Sequence, residues 1–223
     1  MTEFNREDLQ TEYESRLLQR IDYLDALKEI VQQSGASLEG NAFYKHESLD
    51  LYPELYTKQL NLLWCGKQAV TRMCEIGFNA GHSSMLLLLG REQTPLDFLI
   101  FDIGHHAYTR PCLQYIQSEF SHIKFEYVEG DSTVTIPDWI NKHSQWIGSY
   151  DVVHVDGGHT EHCIANDMKN ADTLLKKGGL LIVDDTYFLH IHMYVEAYIA
   201  SGKYVEVNIL PTVGYQHRVL RKV

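Results

Sequence analysis

Three aspartates at the ends of two predicted strands carry the strongest chemical signal in the sequence. Asp156 follows the apolar run Val-Val-His-Val, and Asp184 and Asp185 follow the apolar run Leu-Leu-Ile-Val. Carboxylates that converge from adjacent strand ends repel one another unless a cation or protons relieve them. Because oxygen-only clusters suit Mg²⁺ or Ca²⁺, the three residues predict a divalent-cation site. The alternative is that one aspartate caps a helix and the others are solvated.

Histidines accompany the first of these aspartates. His154 lies two residues before Asp156, so both side chains point to the same face of the strand. His154 is deeper in the strand and is expected to be a hydrogen-bonded core residue. His159 follows in the loop and His162 in the next predicted helix. An imidazole at position 159 could exchange a proton near neutral pH, whereas His162 is expected to have only a surface or packing role.

The segment 73–84 predicts a strand, a glycine loop and the start of a helix. Glu75 lies near the end of the strand, Gly77 and Gly81 bracket the loop, and Ser83 begins the helix. Glycine lets the backbone approach a ligand closely, and a helix start offers unpaired N–H groups. The spacing is not G-x-G-x-x-G, and an acid before the loop would repel a pyrophosphate. We therefore expect a cationic ligand with a carboxylate and a ribose, such as S-adenosylmethionine; a structural turn is the alternative.

Two further acids follow the second and third predicted strands. Asp102 lies 25 residues after Gly77, where a carboxylate can accept both hydroxyls of a ribose. Its alternative is a cap or turn residue. Asp131 and Ser132 could read the amino edge of an adenine, or either residue could cap the next helix.

The order of elements that positions these residues is regular from residue 70 onward. The predicted strands cover 70–76, 97–102, 123–129, 151–156 and 180–184, and the predicted helices cover 82–89, 111–120, 137–145, 161–177 and about 193–201. Apolar strands separated by helices predict a parallel sheet covered on both faces. An antiparallel hairpin, 204–210 and 215–222 with a Pro-Thr-Val-Gly turn, brings the count to seven strands. In such sheets ligands bind beyond the carboxyl ends of the parallel strands, and all five of the predicted parallel strands end in acids.

The chain before residue 59 has no comparable motif. Apolar residues at steps of three and four predict one amphipathic helix over 6–33, with Asn5 as its N-cap and Ser34-Gly35 as its stop. This helix would pack across the main domain or against a second subunit, forming a homodimer. The aromatic-rich segment 36–58 is either a packed connector or a lid over a ligand. We expect a boundary between 1–58 and a main domain at 59–223.

Composition limits the function classes. The 223 residues are 44% hydrophobic and 22% charged, which is typical of one globular domain. A net charge of −11 disfavours binding to nucleic acid or to an anionic membrane. The four cysteines lack metal or redox spacing, which points to free thiols in a cytoplasmic compartment. The polar start MTEFNRED argues against a signal peptide, and the longest apolar run is too short to cross a bilayer.

Three segments together carry a family resemblance: CEIGFNAGHSS, VDGGH and GGLLIVDD. From residue 70 to 223 the chain resembles a class I S-adenosylmethionine-dependent methyltransferase. The resemblance implies an α/β, Rossmann-like, doubly wound seven-stranded sheet with its last strand antiparallel, here preceded by an N-terminal helical extension. It also implies a cofactor site, to which we assign Glu75, Gly77, Asn79, Gly81, Ser83, Asp102, Asp131, Ser132 and Asp156.

Within this fold the chain is most similar to the broad group that carries a Val-Asp-Gly-x-His segment followed by Gly-Gly-x-x-x-x-Asp-Asp, and it is similar to cation-dependent O-methyltransferases. That similarity implies that Asp156, Asp184 and Asp185 hold Mg²⁺ or another divalent cation. His159 stands where the catechol type has a lysine base, and Gly158 stands where related sugar enzymes have a second aspartate. Our hypothesis is that a small hydroxylated acceptor, a phenol, catechol or sugar, binds the cation. His159 would then accept its proton as the general base.

Two other functions remain open at this point. His154 and Asp156 with a distant histidine resemble a two-histidine, one-carboxylate iron site, which would make the chain a metal oxygenase. The chain could also bind S-adenosylmethionine without catalysis. A nicotinamide dehydrogenase is disfavoured because the third glycine of the fingerprint and its spacing are missing.

Overall fold

A seven-stranded sheet forms the centre of the molecule. The computed structural model describes residues 5–45, 49–91, 94–211 and 216–223. The strands are β1 Arg72–Ile76, β2 Leu96–Asp102, β3 Ile123–Glu129, β4 Tyr150–Val155, β5 Leu175–Val183, β6 Tyr204–Glu206 and β7 Arg218–Lys222. Their order is β3-β2-β1-β4-β5-β7-β6, and β7 runs antiparallel to both of its neighbours. The predicted Rossmann-like sheet with an antiparallel last strand is therefore confirmed.

Eight α-helices surround the described sheet. They are α1 Arg6–Leu18, α2 Ile21–Ser34, α3 Tyr56–Gln68, α4 His82–Leu89, α5 Thr109–Glu119, α6 Ser132–Lys142, α7 Glu161–Leu174 and α8 Leu189–Ala200. Alternate strand residues supply two separate cores. Met73 and Val152 belong to the core beneath α3, α4 and α5, whereas Cys74 and Val153 belong to the core beneath α6, α7 and α8. This alternation explains why both faces of the strands are apolar in the sequence.

The N-terminal region forms two helices where one was predicted. Asn5 caps α1 by accepting the N–H of Glu7 at 3.0 Å, and Gly35 ends α2 in the left-handed conformation, both as expected. The helical path breaks at Gln19 and Arg20 because α1 packs on α3 whereas α2 packs on α5, and one straight helix cannot reach both. The boundary expected at residue 58 falls inside α3.

Several predicted element bounds differ from the observed ones. Helix α3 was not predicted, because it is buried on all sides and shows no amphipathic stripe. Helix α6 begins at Ser132, so Pro137 lies inside the helix rather than at its first turn. The last two strands are shorter than predicted, and positions 212–214 of the predicted turn lie outside the described residues. None of the described helices has the length and apolar character needed to cross a bilayer.

Candidate active site

A cavity of about 670 Å³ opens at the carboxyl ends of β1, β2, β4 and β5. Most of the predicted site residues line it: Gly77, Asn79, Ser83, Asp102, Asp131, Ser132, Asp156, His159, Asp184 and Asp185. Gly81 and Glu75 lie behind this lining. The parallel arrangement of the strands thus gathers residues from five loops at one edge of the sheet.

The glycine loop forms the floor of the cavity. Gly77 has φ +93°, and a Cβ at this position would collide with the backbone oxygen of Asp156. The Gly77 N–H donates to Phe101 O at 2.8 Å, and the Asp156 N–H donates to Ile76 O at 2.8 Å. The loop is therefore held between the neighbouring strands β2 and β4, with no side chain on its floor.

Asp102 holds the same loop from the side. One of its carboxylate oxygens accepts the N–H groups of Phe78 and Asn79 at 2.8 and 2.9 Å, and the other accepts the N–H of Gly104 at 2.7 Å. The residue is 8% exposed and lines the cavity. The turn role that we considered is therefore present, and the ribose role stays a prediction.

Glu75 lies beneath the floor rather than inside the cavity. It is fully buried and accepts the hydroxyl of Ser83 at 2.7 Å, the hydroxyl of Ser84, and Nδ1–H of His154 at 2.8 Å. A carboxylate with three donors fixes the start of α4 against β1 and β4. The expectation that His154 is a hydrogen-bonded core residue is confirmed.

Asp131 caps α6, as the structural alternative anticipated. Its carboxylate accepts the N–H of Thr133 at 2.9 Å and the hydroxyl of Thr133 at 2.7 Å. These hydrogen bonds hold the pKa of Asp131 below its usual value. Ser132 is the first residue of the helix, and both residues line the cavity.

Lys58, which no sequence pattern marked, is the cation of the aspartate cluster. Its ammonium, on α3, contacts Oδ2 of Asp184, while Oδ1 of Asp184 accepts the N–H of Asp185 at 2.9 Å. Burial acts to raise the pKa of Asp184, but the Lys58 charge outweighs it, and the pKa is about 2. Burial likewise acts to lower the pKa of Lys58, whereas Asp184 and Asp156 hold it above its usual value. Asp184 is therefore a carboxylate paired with an ammonium.

Asp185 points the other way, toward the half-exposed His159. Its Oδ2 lies 2.6 Å from Nε2 of His159, a side chain that is 51% exposed. The hydrogen bond from Asp185 is the main cause that raises the pKa of His159. His190 donates from Nε2 to the backbone oxygen of His159 at 2.6 Å, and the ring of Phe188 lies 5.2 Å from the imidazole. Contacts from the start of α8 thus hold the His159 loop in place.

The three predicted cation ligands do not form a single group in the structure. Among the described residues, ligand atoms within 4.8 Å of one another form one group of His154, Asp156 and Asp184 and another of Asp156, His159 and Asp185. Burial and the carboxylates of Asp184 and Asp185 raise the pKa of Asp156 well above its usual value. Two carboxylates and an imidazole at the open side form a donor set that fits a divalent cation. Asp184, in contrast, already has Lys58 as its partner.

The segment 36–58, considered as a packed connector or a lid, contributes no aromatic ring to the cavity lining among its described residues. Residues 39–42 line the cavity, and the side-chain amide of Asn79 donates to Gly40 O at 2.6 Å. Phe43 and Tyr44 are buried and pack against the ring of His82 instead. The aromatic side chains that line the cavity next to the aspartates are those of Tyr187 and Phe188, between β5 and α8. No sequence pattern predicted them as site residues.

A second polar group lies at the mouth of the cavity. His106 Nε2 is 3.2 Å from Oε2 of Glu39, and the tilted ring of His105 lies 3.8 Å from that of His106, measured between centroids. Because Glu39 precedes the glycine loop by almost forty residues, only the fold brings these side chains together.

Comparisons with known proteins agree with this geometry. A family described as "Methyltransferase domain" matches residues 74–186. The structure is similar to that of cofactor-bound Rv0187 from MTB, with a TM-score of 0.64 and 18% identity over 100% of this chain and 99% of that chain. It is also similar to an O-methyltransferase from Bacillus cereus in complex with SAH, with a TM-score of 0.59 and 17% identity over 89% and 90% of the two chains. At such identities the two structures establish the fold alone. No curated protein matches the sequence.

Proposed function

The chain belongs to the methyltransferase-domain family and is an S-adenosylmethionine-dependent methyltransferase, and we propose that it methylates a hydroxyl group of a small acceptor. The observation that carries this proposal is the His159–Asp185 pair, which faces the cavity beside the glycine loop. A hydroxyl needs a base when it attacks a methyl group, and an imidazole fixed by a carboxylate is suited to that role.

The loop residues supply the cofactor site in this proposal. N–H groups at the start of α4 and the hydroxyl of Ser83 face the amino-acid end of the cofactor. Asp102 accepts the ribose hydroxyls, and Asp131 with Ser132 faces the adenine. A cationic sulfonium close to Asp156 would be attracted by the aspartate cluster, and its charge would in turn favour the ionised form of Asp156. Gly77 keeps the floor free of side chains.

His159 acts through its second ring nitrogen. Because Asp185 is an acceptor, Nε2 carries the proton that lies between the two residues, and Nδ1 is left as the basic atom. The acceptor hydroxyl gives its proton to Nδ1 while its oxygen forms the bond to the methyl carbon. The carbon–sulfur bond breaks at the same time, which leaves a neutral thioether and an imidazolium that returns its proton to water.

A divalent cation would be held by Asp156 and Asp185 at the open side of the cluster. Such an ion, when bound, polarises the acceptor hydroxyl and lowers its pKa. The arrangement of the chain's own residues already supplies orientation and a base, so the ion would add to these contributions.

The lining near His159 favours a planar acceptor. Tyr187 is 44% exposed, and its ring centroid lies 4.3 Å from that of Phe188, which in turn contacts His159. Exposed aromatic rings of this kind bind an aromatic face well, so a phenol or catechol is the first choice and a sugar the second. The cavity volume leaves room for only a small acceptor next to the cofactor.

The test combines binding with turnover. Calorimetry with S-adenosylhomocysteine should give one site per chain. Radiolabelled methyl transfer should then occur to a catechol or a sugar and fall in the His159→Ala variant. Absence of binding would contradict the cofactor proposal. Binding without transfer to any hydroxylated acceptor would favour the alternative of a cofactor-binding protein.

A further inference from the structure

Lys58 reaches the aspartate cluster from outside the loops that form the rest of the site. It is the third residue of α3, it is 5% exposed, and its ammonium contacts Oδ2 of the buried Asp184. Among the described residues that line the cavity, it is the only lysine or arginine. Burying a lysine is costly unless its charge is paired, so the position of this residue requires a reason.

The charges around Lys58 supply that reason. Asp156, Asp184 and Asp185 come from two neighbouring strand ends, and three carboxylates this close need positive charge nearby. An ammonium is compact and offers three donors, so it can serve one carboxylate oxygen and still face a second acid. Both oxygens of Asp184 have protein partners, Lys58 and the N–H of Asp185.

We propose that Lys58 is the built-in cation of this cluster. It takes the place at Asp184 that a third metal contact would occupy, and it holds Asp184 and Asp156 in position without an ion. A divalent cation then binds this chain weakly, through Asp156 and Asp185 alone, and binds tightly only when Lys58 is removed. The inference rests on the proposed function, because it assigns Lys58 a positioning role at that site.

The sign of the effect follows from electrostatics. An ammonium next to the cluster repels an incoming cation and also withdraws Asp184 as a ligand. Replacing Lys58 by methionine keeps the length and apolar stem of the side chain but removes the charge. The freed carboxylate of Asp184 can then serve an ion at Asp156, because ligand atoms of these two residues lie within 4.8 Å of one another, and the affinity for a divalent cation that prefers oxygen should rise with ligand charge.

The experiment titrates Mn²⁺ into metal-free protein by calorimetry. The wild-type chain should not saturate below roughly 1 mM, the range of the weakest protein sites for such hard cations. The Lys58→Met variant should bind one Mn²⁺ at least about tenfold more tightly. Lys67→Met is the matched control, since Lys67 lies on the same helix but pairs with Glu12 away from the cavity. It should behave as the wild type does.

One outcome overturns the proposal whatever the variants do. If the wild-type chain binds one Mn²⁺ at micromolar concentration, Lys58 does not replace the ion. The proposal also fails if a folded Lys58→Met variant binds Mn²⁺ no more tightly than the wild type. Thermal unfolding supplies a second readout, because added Mn²⁺ should raise the melting temperature of Lys58→Met and leave that of the wild type unchanged.

Binding of S-adenosylhomocysteine separates this inference from the proposed function. In the presence of a chelator the wild type should bind it with unchanged affinity, whereas Lys58→Met should lose affinity until Mn²⁺ is restored. If no variant binds the cofactor product, the proposed function fails, but the Mn²⁺ titration still decides the role of Lys58. A Lys58→Arg variant, which keeps the positive charge, should remain indifferent to Mn²⁺.

Discussion

Glu75 and His154 lie directly opposite each other in the register of β1 and β4, and Nδ1–H of the histidine donates to the glutamate at 2.8 Å. Since a carboxylate can only accept, Nδ1 of the imidazole carries the proton of this hydrogen bond. The same carboxylate holds the hydroxyls of Ser83 and Ser84 at the start of α4. A buried pair in the sheet thus sets the position of the glycine loop above it.

Removal of this buried carboxylate should weaken both the fold and the cofactor site. The Glu75→Ala variant leaves three donors without an acceptor, at a cost of about 2–4 kcal/mol in the free energy of unfolding. Urea denaturation measures that cost, and calorimetry should detect weaker binding of S-adenosylhomocysteine. Glu75→Gln keeps the shape and one acceptor, so it should lose less. Equal stability of Glu75→Ala and the wild type would contradict the structural role.

The general base gives a prediction about rate. The His159→Ala variant should lower kcat by about 10²- to 10⁴-fold while cofactor binding stays unchanged, because the imidazole acts on the acceptor. His192→Ala is the matched control, since His192 is a half-exposed histidine of α8. Single-turnover methyl transfer distinguishes the two variants, and full-rate transfer by His159→Ala would remove this residue from the mechanism.

A separate prediction concerns Asp185, the hydrogen-bond partner of His159. Asp185→Asn keeps the size of the side chain but can turn an amide N–H toward His159 Nε2, which favours the wrong tautomer. We expect kcat to fall while KM for the acceptor changes little. The measurement is a steady-state comparison of kcat and KM, and a variant that loses only acceptor affinity would show that Asp185 serves binding rather than the base.

Asp102 is expected to couple loop stability to cofactor affinity. In Asp102→Ala the N–H groups of Phe78 and Asn79 lose their acceptor, and the ribose would lose its partner. The affinity for S-adenosylhomocysteine should fall by about 10- to 100-fold, the equivalent of 1–3 kcal/mol for an unmade hydrogen bond. Asp97→Ala, a change at the other end of β2, serves as the control. Unaltered affinity in Asp102→Ala would contradict both roles.

The contacts of Asp151 predict how the free energy of unfolding depends on pH. It is buried at the start of β4 and accepts the N–H groups of Val70, Thr71 and Arg72 at 2.8, 2.5 and 2.9 Å, and Lys176 pairs with it. Burial acts to raise the pKa of Asp151, but Lys176 and these N–H groups lower it below its usual value.

A depressed folded-state pKa means that this stabilisation is complete above the unfolded value of about 3.9 and is lost as pH falls through the folded value. The difference in unfolding free energy between the wild type and Asp151→Asn should therefore be constant from pH 7 to about 5 and shrink below about 4. Urea denaturation across this pH range measures it. A difference in unfolding free energy that grows as the pH falls would contradict the stabilising role of the ionised Asp151.

The order of elements and the location of the site could be predicted from the sequence. Apolar strands alternating with helices predicted the sheet, because a strand that is buried on both faces has a nearly continuous run of apolar residues. Acids at successive strand ends predicted where ligands bind, because parallel strands bring their carboxyl ends to one edge. The glycine at position 77 predicted a close backbone approach, and the contact with Asp156 O explains it.

The partners within the site depended on tertiary structure. Lys58 precedes Asp184 by 126 residues, and nothing in the sequence of α3 marks it as a partner. The same pattern of acids could describe three ligands of one ion or, as found, one aspartate paired with Lys58 and another paired with His159. Local sequence determined which residues lie at the strand ends, because backbone periodicity is a short-range property. Packing of α3 against the sheet decided which charges meet, because electrostatic pairing depends on distances that only the folded chain defines.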